Sequence, residues 1–340
     1  MQPPEPRRWW IRFEDEARTC PACASPRLTV LDALPIPKTP AGRRLGLISG
    51  CRDCGVLFVN PLPTPAQLER YYSEEGTWAS RQAERAKTPV TESGPRRPDR
   101  LAAALELYVP QIAASPGRVL DFGCGDGKFL NRLKARGWKT YGIEPSSDAA
   151  FRKHQRLADV PHDRSFDFAV LNHVLEHLLD PLDTLRQLAL SLRDGGLLFV
   201  STPRLDTLPE HRDLKYCLSG HRHVMSFSET CLRGLLARAG FGAIARIDAP
   251  ELDEAFTAGK RLRLRLIAAR SDTPAPLPAR PLAAARRALS GYAAAEQGAA
   301  GLLRRWLPAR YRAARIEAKM NERFERRRQI GESVTRRVGG

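Results

Sequence analysis

The stretch Val119-Leu120-Asp121-Phe122-Gly123-Cys124-Gly125-Asp126-Gly127 decides the fold. Its opening residues read as a buried strand. Gly123, Gly125 and Gly127 then let the backbone turn tightly and let a ligand approach it closely, and Gly127–Arg136 reads as the helix that follows. The turn is not a phosphate loop, because no Gly-Lys-Ser/Thr follows it. Nor does it have the full GxGxxG spacing of a dinucleotide site, since Gly123-x-Gly125 is followed by Lys128.

Outward from this turn, strand and helix patterns alternate from Gly117 to about Arg270. Strands are expected at Arg118–Phe122, Thr140–Glu144, Phe166–Asn172, Leu197–Thr202, Ala243–Asp248 and Leu262–Ala268. Helices are expected at Asp148–Leu157, Pro181–Leu192 and Ser228–Ala239, with a further one at Arg100–Ile112. Short apolar runs between helices indicate an α/β fold with a mostly parallel sheet covered on both faces.

The nine-residue stretch resembles the first motif of class I S-adenosylmethionine-dependent methyltransferases, D-x-G-x-G-x-G, on Asp121, Gly123, Gly125 and Gly127. The resemblance implies a Rossmann-like sheet whose loop cradles the amino-acid part of the donor, with Asp121 orienting its ammonium group. It also implies an acid at the end of the next strand that accepts the ribose hydroxyls, and Glu144 in Tyr141-Gly142-Ile143-Glu144-Pro145 stands there. Ser165–Val170 is similar to the family's fourth strand and Leu192-Arg193-Asp194-Gly195-Gly196 to the turn before its fifth. Asn172 and His173 end the fourth strand, where family members line the pocket beside the methyl group; this assigns Asn172 to the cofactor and His173 to catalysis. Glu176 and His177 fit a short helical turn and read as structural. Only twenty-one residues separate Glu144 from Phe166, so the third strand is expected to be truncated or missing. Asp159 and Asp163 are then the candidates for reading the adenine amino group.

Ahead of this region stand Cys20-Pro21-Ala22-Cys23 and Cys51-Arg52-Asp53-Cys54-Gly55, on either side of a polar, proline-containing connector from Asp32 to Gly50. Two CxxC turns present four thiolates to one ion, so Cys20, Cys23, Cys51 and Cys54 are expected to hold a structural zinc in a zinc ribbon-like module. Cys124, Cys217 and Cys231 read as packing residues. The module, followed by Val59-Asn60-Pro61-Leu62-Pro63 and Leu68-x2-Tyr71-Tyr72, resembles bacterial methyltransferases that include sugar C-methyltransferases. In those, a similar H-x-x-x-F-S stretch carries a histidine proposed as the base. His223 in His221-Arg222-His223-Val224-Met225-Ser226-Phe227-Ser228 stands at its place, with Arg222 where the family has glutamate. Arg222 suits a phosphate or a carboxylate.

Four regions follow: a zinc-binding module at 1–72, a connector or lid and helix at 73–116, the methyltransferase domain at 117–270, and a proline-rich linker with a basic helical tail at 271–340. The net charge is +17, and Arg280–Gly340 alone holds fifteen Arg and Lys against five Glu. Within that tail Ile316, Met320 and Phe324 recur every four residues, an amphipathic face for a membrane surface or a protein partner. No run of 18 apolar residues and no apolar leader is present, so the expected location is cytoplasmic or peripheral at the cytosolic membrane face.

The expected acceptor is a small molecule: a sugar, glycan precursor or secondary-metabolite intermediate, with phosphorylated and nucleotide-linked forms included. An RNA methyltransferase is the alternative that the charge suggests. It lacks an Asn/Asp-Pro-Pro-Tyr/Phe motif after strand four, and basic charge alone supports nonspecific phosphate contact, which sets nucleic acid behind the small molecule. A non-catalytic zinc-containing scaffold is the second alternative.

Overall fold

The computed structural model describes residues 17–39, 42–72, 97–144, 154–220, 222–250, 252–253 and 262–295. Between the cysteine pairs the chain is a hairpin, where the sequence suggested a polar connector. Strand β1 (Leu28–Thr39) runs antiparallel to β2 (Gly42–Cys51), with Leu28 opposite Cys51 and Pro35 opposite Leu45. Pro35 and Pro37 are tolerated because β1 is an edge strand. Strand β3 (Leu57–Asn60) pairs with β2 and is buried along its whole length.

The glycine-rich turn joins β4 (Arg118–Phe122) to a helix at Lys128–Lys134. Next come β5 (Lys139–Ile143), β6 (Gln155–Arg156), β7 (Phe166–Asn172) and β8 (Leu192–Pro203). They are followed by β9 (Met225–Ser226), β10 (Phe241–Arg246) and β11 (Arg263–Arg270). Among the described residues, seven strands form one sheet in the order β10-β11-β8-β7-β4-β5-β6. The five strands from β8 to β6 are mutually parallel, and β11 is antiparallel to both β8 and β10.

Val119, Leu120, Phe168, Ala169, Val170 and Leu171 on β4 and β7 are fully buried, as strands covered on both faces must be. One face packs on Leu105, Ile112, Phe129, Leu130 and Leu133. The other packs on Leu185 and Leu188 of helix Pro181–Ser191 and on Leu232 and Leu235 of helix Glu229–Arg238. The expected Rossmann-like α/β sheet is therefore present. Because β4, β5, β7 and β8 run in one direction, Asp121, Glu144, Asn172 and Pro203 come out along the same edge.

Two expectations of local structure change. Of the helix placed at Asp148–Leu157, Gln155 and Arg156 are instead the two-residue strand β6, which pairs with Tyr141 and Gly142, and residues 145–153 lie outside the described residues. The third strand is thus truncated, not absent. The helix placed at Arg100–Ile112 divides into Arg97–Tyr108 and Pro110–Ala114, because Pro110 has no amide to donate and Val109 before it leaves the helical region (φ −134°, ψ 73°).

The two sheets are stitched together. Strand β9, from the stretch after His223, adds to β3 through Leu57–Ser226 and Phe58–Met225, making, among the described residues, a four-stranded sheet of order β1-β2-β3-β9. The Val59 amide donates to the Val224 carbonyl (3.0 Å), and the Val224 amide donates to the Glu176 carbonyl (2.9 Å). A helix at Leu282–Ala295 covers this sheet, burying Leu282, Ala285 and Leu289 against Ile48, Leu57 and Val59. The proline-rich run before it lies along the body. A Cβ on Gly234 would stand 3.2 Å from Pro278, and one on Gly55 2.5 Å from the Pro281 carbonyl oxygen. Residues 73–96 and 296–340, with Ile316, Met320 and Phe324, lie outside the described residues. No described helix is long and apolar enough to cross a membrane.

Candidate active site and metal centre

At the end of β4 the three glycines all take positive φ, +78° at Gly123, +55° at Gly125 and +69° at Gly127, a region that other residues enter at a cost of about 1–2 kcal/mol. The turn is tied to β5: the Gly123 amide donates to the Ile143 carbonyl at 2.8 Å, and the Gly125 amide donates to Glu144 Oε2 at 2.8 Å. A Cβ on Gly123 would lie 2.4 Å from Val174 Cγ2, so the turn packs directly on the segment that follows β7. At Gly125 nothing lies within 4 Å of that position. Asp121 is buried, and burial, helped by the negative charge of Glu144, pushes its pKa up to about 7.

These residues fit the donor that the motif implies. A buried carboxylate suits an ammonium group, a second carboxylate suits a pair of hydroxyls, and the bare Gly125 backbone admits a ligand. Arg156 of β6, which no motif in the sequence marks, donates to the Glu144 carbonyl at 3.0 Å and so fixes the strand end that carries this acid. Asp159 and Asp163 are exposed, and Asp163 accepts from the Ser165 amide at 3.2 Å.

Asn172, half-buried, closes β7. His173 follows at φ +60°, a strained conformation held by its amide donating to Ser201 O at 2.8 Å. Its Nδ1 lies 3.1 Å from Glu176 Oε1, while its Nε2 is buried without a hydrogen-bond partner. Glu176 is wholly buried. Burial alone would raise its pKa, but the hydrogen bond from His173 and the surrounding imidazoles outweigh it and hold the group at about 2.

His223 comes to the same place from the other side. Its Nδ1–H donates to the Tyr216 carbonyl at 2.5 Å, which leaves Nε2 as the lone-pair nitrogen, and burial lowers its pKa to about 3. His177 stands edge-on to His223 with ring centroids 4.9 Å apart, and burial also lowers its pKa. Its Nδ1 lies 2.9 Å from both the Arg222 carbonyl and the Tyr72 hydroxyl. His173 and His223, the histidines expected to act in catalysis, therefore meet around Glu176 and His177, whose sequence context points only to a structural role. Their spacing of three and four residues from His173 is the signal that the sequence offers; the arrival of His223 is not legible in it.

The four cysteines also converge. Cys20 Sγ lies 3.6 Å from Cys54 Sγ and Cys23 Sγ 3.6 Å from Cys51 Sγ. Ideal tetrahedral coordination with Zn–S bonds near 2.3 Å requires sulfurs about 3.8 Å apart, so the set fits a zinc ion. Both knuckles use positive φ, at Ala24 (+57°) and Gly55 (+82°), and the Gly55 amide donates to Cys51 O at 3.0 Å. Asp53 joins the knuckles by accepting from Ser25 Oγ at 2.5 Å and pairing with Arg27 at 2.8 Å. Cys124, Cys217 and Cys231 are buried, and burial raises the pKa of each thiol, as packing residues require.

Comparison with known proteins agrees with this geometry. Residues 95–245 match the family model described as a methyltransferase domain. Ubiquinone biosynthesis O-methyltransferase of Xanthomonas campestris pv. campestris is 33% identical over 127 residues, covering 32% of this chain and 53% of that protein. Its counterpart in Aromatoleum aromaticum is 28% identical over 155 residues, covering 41% and 62%. The chain thus spans less than two thirds of these curated relatives. Among solved structures, the Burkholderia thailandensis 1,6-didemethyltoxoflavin-N1-methyltransferase covers 64% of this chain and 95% of its own at 19% identity and a TM-score of 0.44. Residues 95–245 thus carry an S-adenosylmethionine-dependent methyltransferase domain.

Proposed function

We propose that the protein transfers a methyl group from S-adenosylmethionine to a small organic acceptor. One observation carries this reading: the glycine turn that suits the donor packs through Gly123 against Val174, inside the segment that bears His173, Glu176 and His177. Donor grip and acceptor-side imidazoles are thereby neighbours.

When bound, the donor supplies an electrophilic methyl group on a sulfonium. Asp121 holds its ammonium group and Glu144 its ribose hydroxyls, while the Gly123–Gly127 backbone and Asn172 enclose the rest. Alignment for in-line displacement supplies much of the rate. A neutral acceptor must also lose a proton, and His173 and His223 are the groups assigned to take it, through Nε2 in each case. The half-buried His173 and the buried His223 favour a small acceptor enclosed by the protein: a sugar, a glycan precursor or a secondary-metabolite intermediate. The matched relatives are named for O-methylation, which favours an oxygen as the atom methylated. Arg222, whose Nε is buried without a hydrogen-bond partner, suits an acidic group on that acceptor. The cysteine module holds zinc and has a structural role, since four thiolates leave no open position.

Calorimetry of zinc-replete protein with S-adenosylmethionine and with S-adenosylhomocysteine tests the class. Saturable one-to-one uptake of both is expected, and absence of uptake overturns the reading. Incubation with radiolabelled donor and a panel of hydroxylated acceptors then identifies the substrate.

A further inference from the structure

We propose that Glu176, His177 and His223 form a second metal site, taking a divalent cation through oxygen and nitrogen on the acceptor side of the pocket. Each of the three offers a ligating atom within 4.8 Å of the other two. They come from two distant parts of the chain, brought together by the Val224 amide bonding to the Glu176 carbonyl.

The hydrogen bonds around the cluster are those that orient ligands. Both imidazoles spend Nδ1 on the backbone, His223 on Tyr216 O and His177 on Arg222 O. This is the arrangement in which a histidine presents Nε2 to a metal, with its other nitrogen fixed by a carbonyl. His177 Nε2 already lies 3.9 Å from Glu176 Oε1. The carboxylate itself is incompletely satisfied: Oε1 takes the His173 contact, whereas Oε2 is buried with no hydrogen-bond partner. A fully buried carboxylate oxygen left bare is costly, and a cation on that oxygen would remove the cost.

The donor set points to the class of ion. Two imidazoles and one carboxylate suit a borderline divalent ion such as zinc, manganese or cobalt, and three protein ligands leave coordination positions open. The cysteine site differs on both counts, having four soft ligands and no open position. An open position beside the acceptor would bind its hydroxyl oxygen and make the proton easier to remove, and His173 Nε2, buried and without a partner, would then take it in place of His223. That use of the ion rests on the methyl-transfer reading above; the binding of the ion does not.

The test is a Co²⁺ titration of full-length protein already saturated with zinc at its cysteines. One further ion per chain is expected, with weak ligand-field bands and without the intense thiolate-to-metal absorption of a cysteine site. Glu176→Gln and His223→Ala should each weaken it by at least about tenfold. Manganese added to wild-type protein should selectively broaden the ring signals of His177 and His223, a readout that needs no variant to fold. No second ion in wild-type protein, undiminished binding by folded variants, or no selective broadening overturns the proposal. Donor uptake measured on the same sample keeps the two claims apart: loss of uptake with the second ion present sinks only the methyl-transfer reading.

Discussion

The Gly125 amide donates to Glu144 Oε2 at 2.8 Å, so the acid proposed to hold the donor's ribose is also the brace of the glycine turn. Glu144→Gln weakens both interactions. Hydrogen bonds to a charged group contribute about 1.5–3 kcal/mol, which predicts a rise of about ten- to a hundredfold in the donor dissociation constant by calorimetry. An unchanged constant would remove Glu144 from the donor site.

Asp121, proposed to hold the donor's ammonium group, should make donor binding depend on pH. Its pKa in the folded chain is about 7, against an ordinary 3.8, because it is buried and faces Glu144. The folded state therefore holds a proton that the unfolded state has released. The stability this group contributes is present below its ordinary pKa and is lost as pH rises through 7. An ammonium group reverses the preference by favouring the carboxylate. Donor affinity should then tighten between about pH 6 and about pH 8, with a proton released on binding. Calorimetry in two buffers of different ionisation heat measures that release, and Asp121→Asn should abolish it. A pH-independent affinity in the wild type would contradict the assignment.

Two glycines in the same turn should fail in different ways. Gly123→Ala sets a methyl group 2.4 Å from Val174 Cγ2 and keeps φ at +78°, so it should lower the melting temperature. Adding Val174→Ala should recover part of the loss. Gly125→Ala meets no protein atom, so the fold should lose only about 1–2 kcal/mol while donor affinity falls more steeply. Equal effects of the two on stability and affinity would argue against a ligand at Gly125.

The sequence made the donor half of the molecule legible because each of its parts is local. A strand, three glycines at alternate positions and an acid one strand later are close enough in the chain to be read as a pattern, and β4, β7 and Glu144 stand where expected. The acceptor half depends on contacts that no spacing records. His223 reaches Glu176 across forty-seven positions through a two-strand annex to the cysteine hairpin. The hairpin itself was hidden because Pro35 and Pro37 disguise an edge strand as a connector.

Cys54→Ser should remove the zinc proposed for the four thiolates and cost several kcal/mol of stability, since binding of a structural zinc is coupled to folding of the segment around it. Metal analysis after gel filtration and a thermal melt check both. Retention of that zinc with an unchanged melt would show that the cluster is not its site.

Leu282→Ala tests the helix at the far end of the described chain. Leu282 is buried against Ile48 and Leu57, so truncation should cost about 2–4 kcal/mol in denaturant unfolding. A cost near zero would mean that Leu282–Ala295 does not rest on the cysteine-bearing sheet in solution.

Val224, with its amide on Glu176 and its carbonyl on Val59, is the rung on which the two sheets meet. The stretch matched to the methyltransferase model is consequently not self-sufficient. Excised at its borders, it would bare Met225 and Phe227 to water and leave the neighbouring imidazole without a floor. On the proposed reading the acceptor is selected at this seam, and a swap of the cysteine hairpin between relatives should carry specificity along with it.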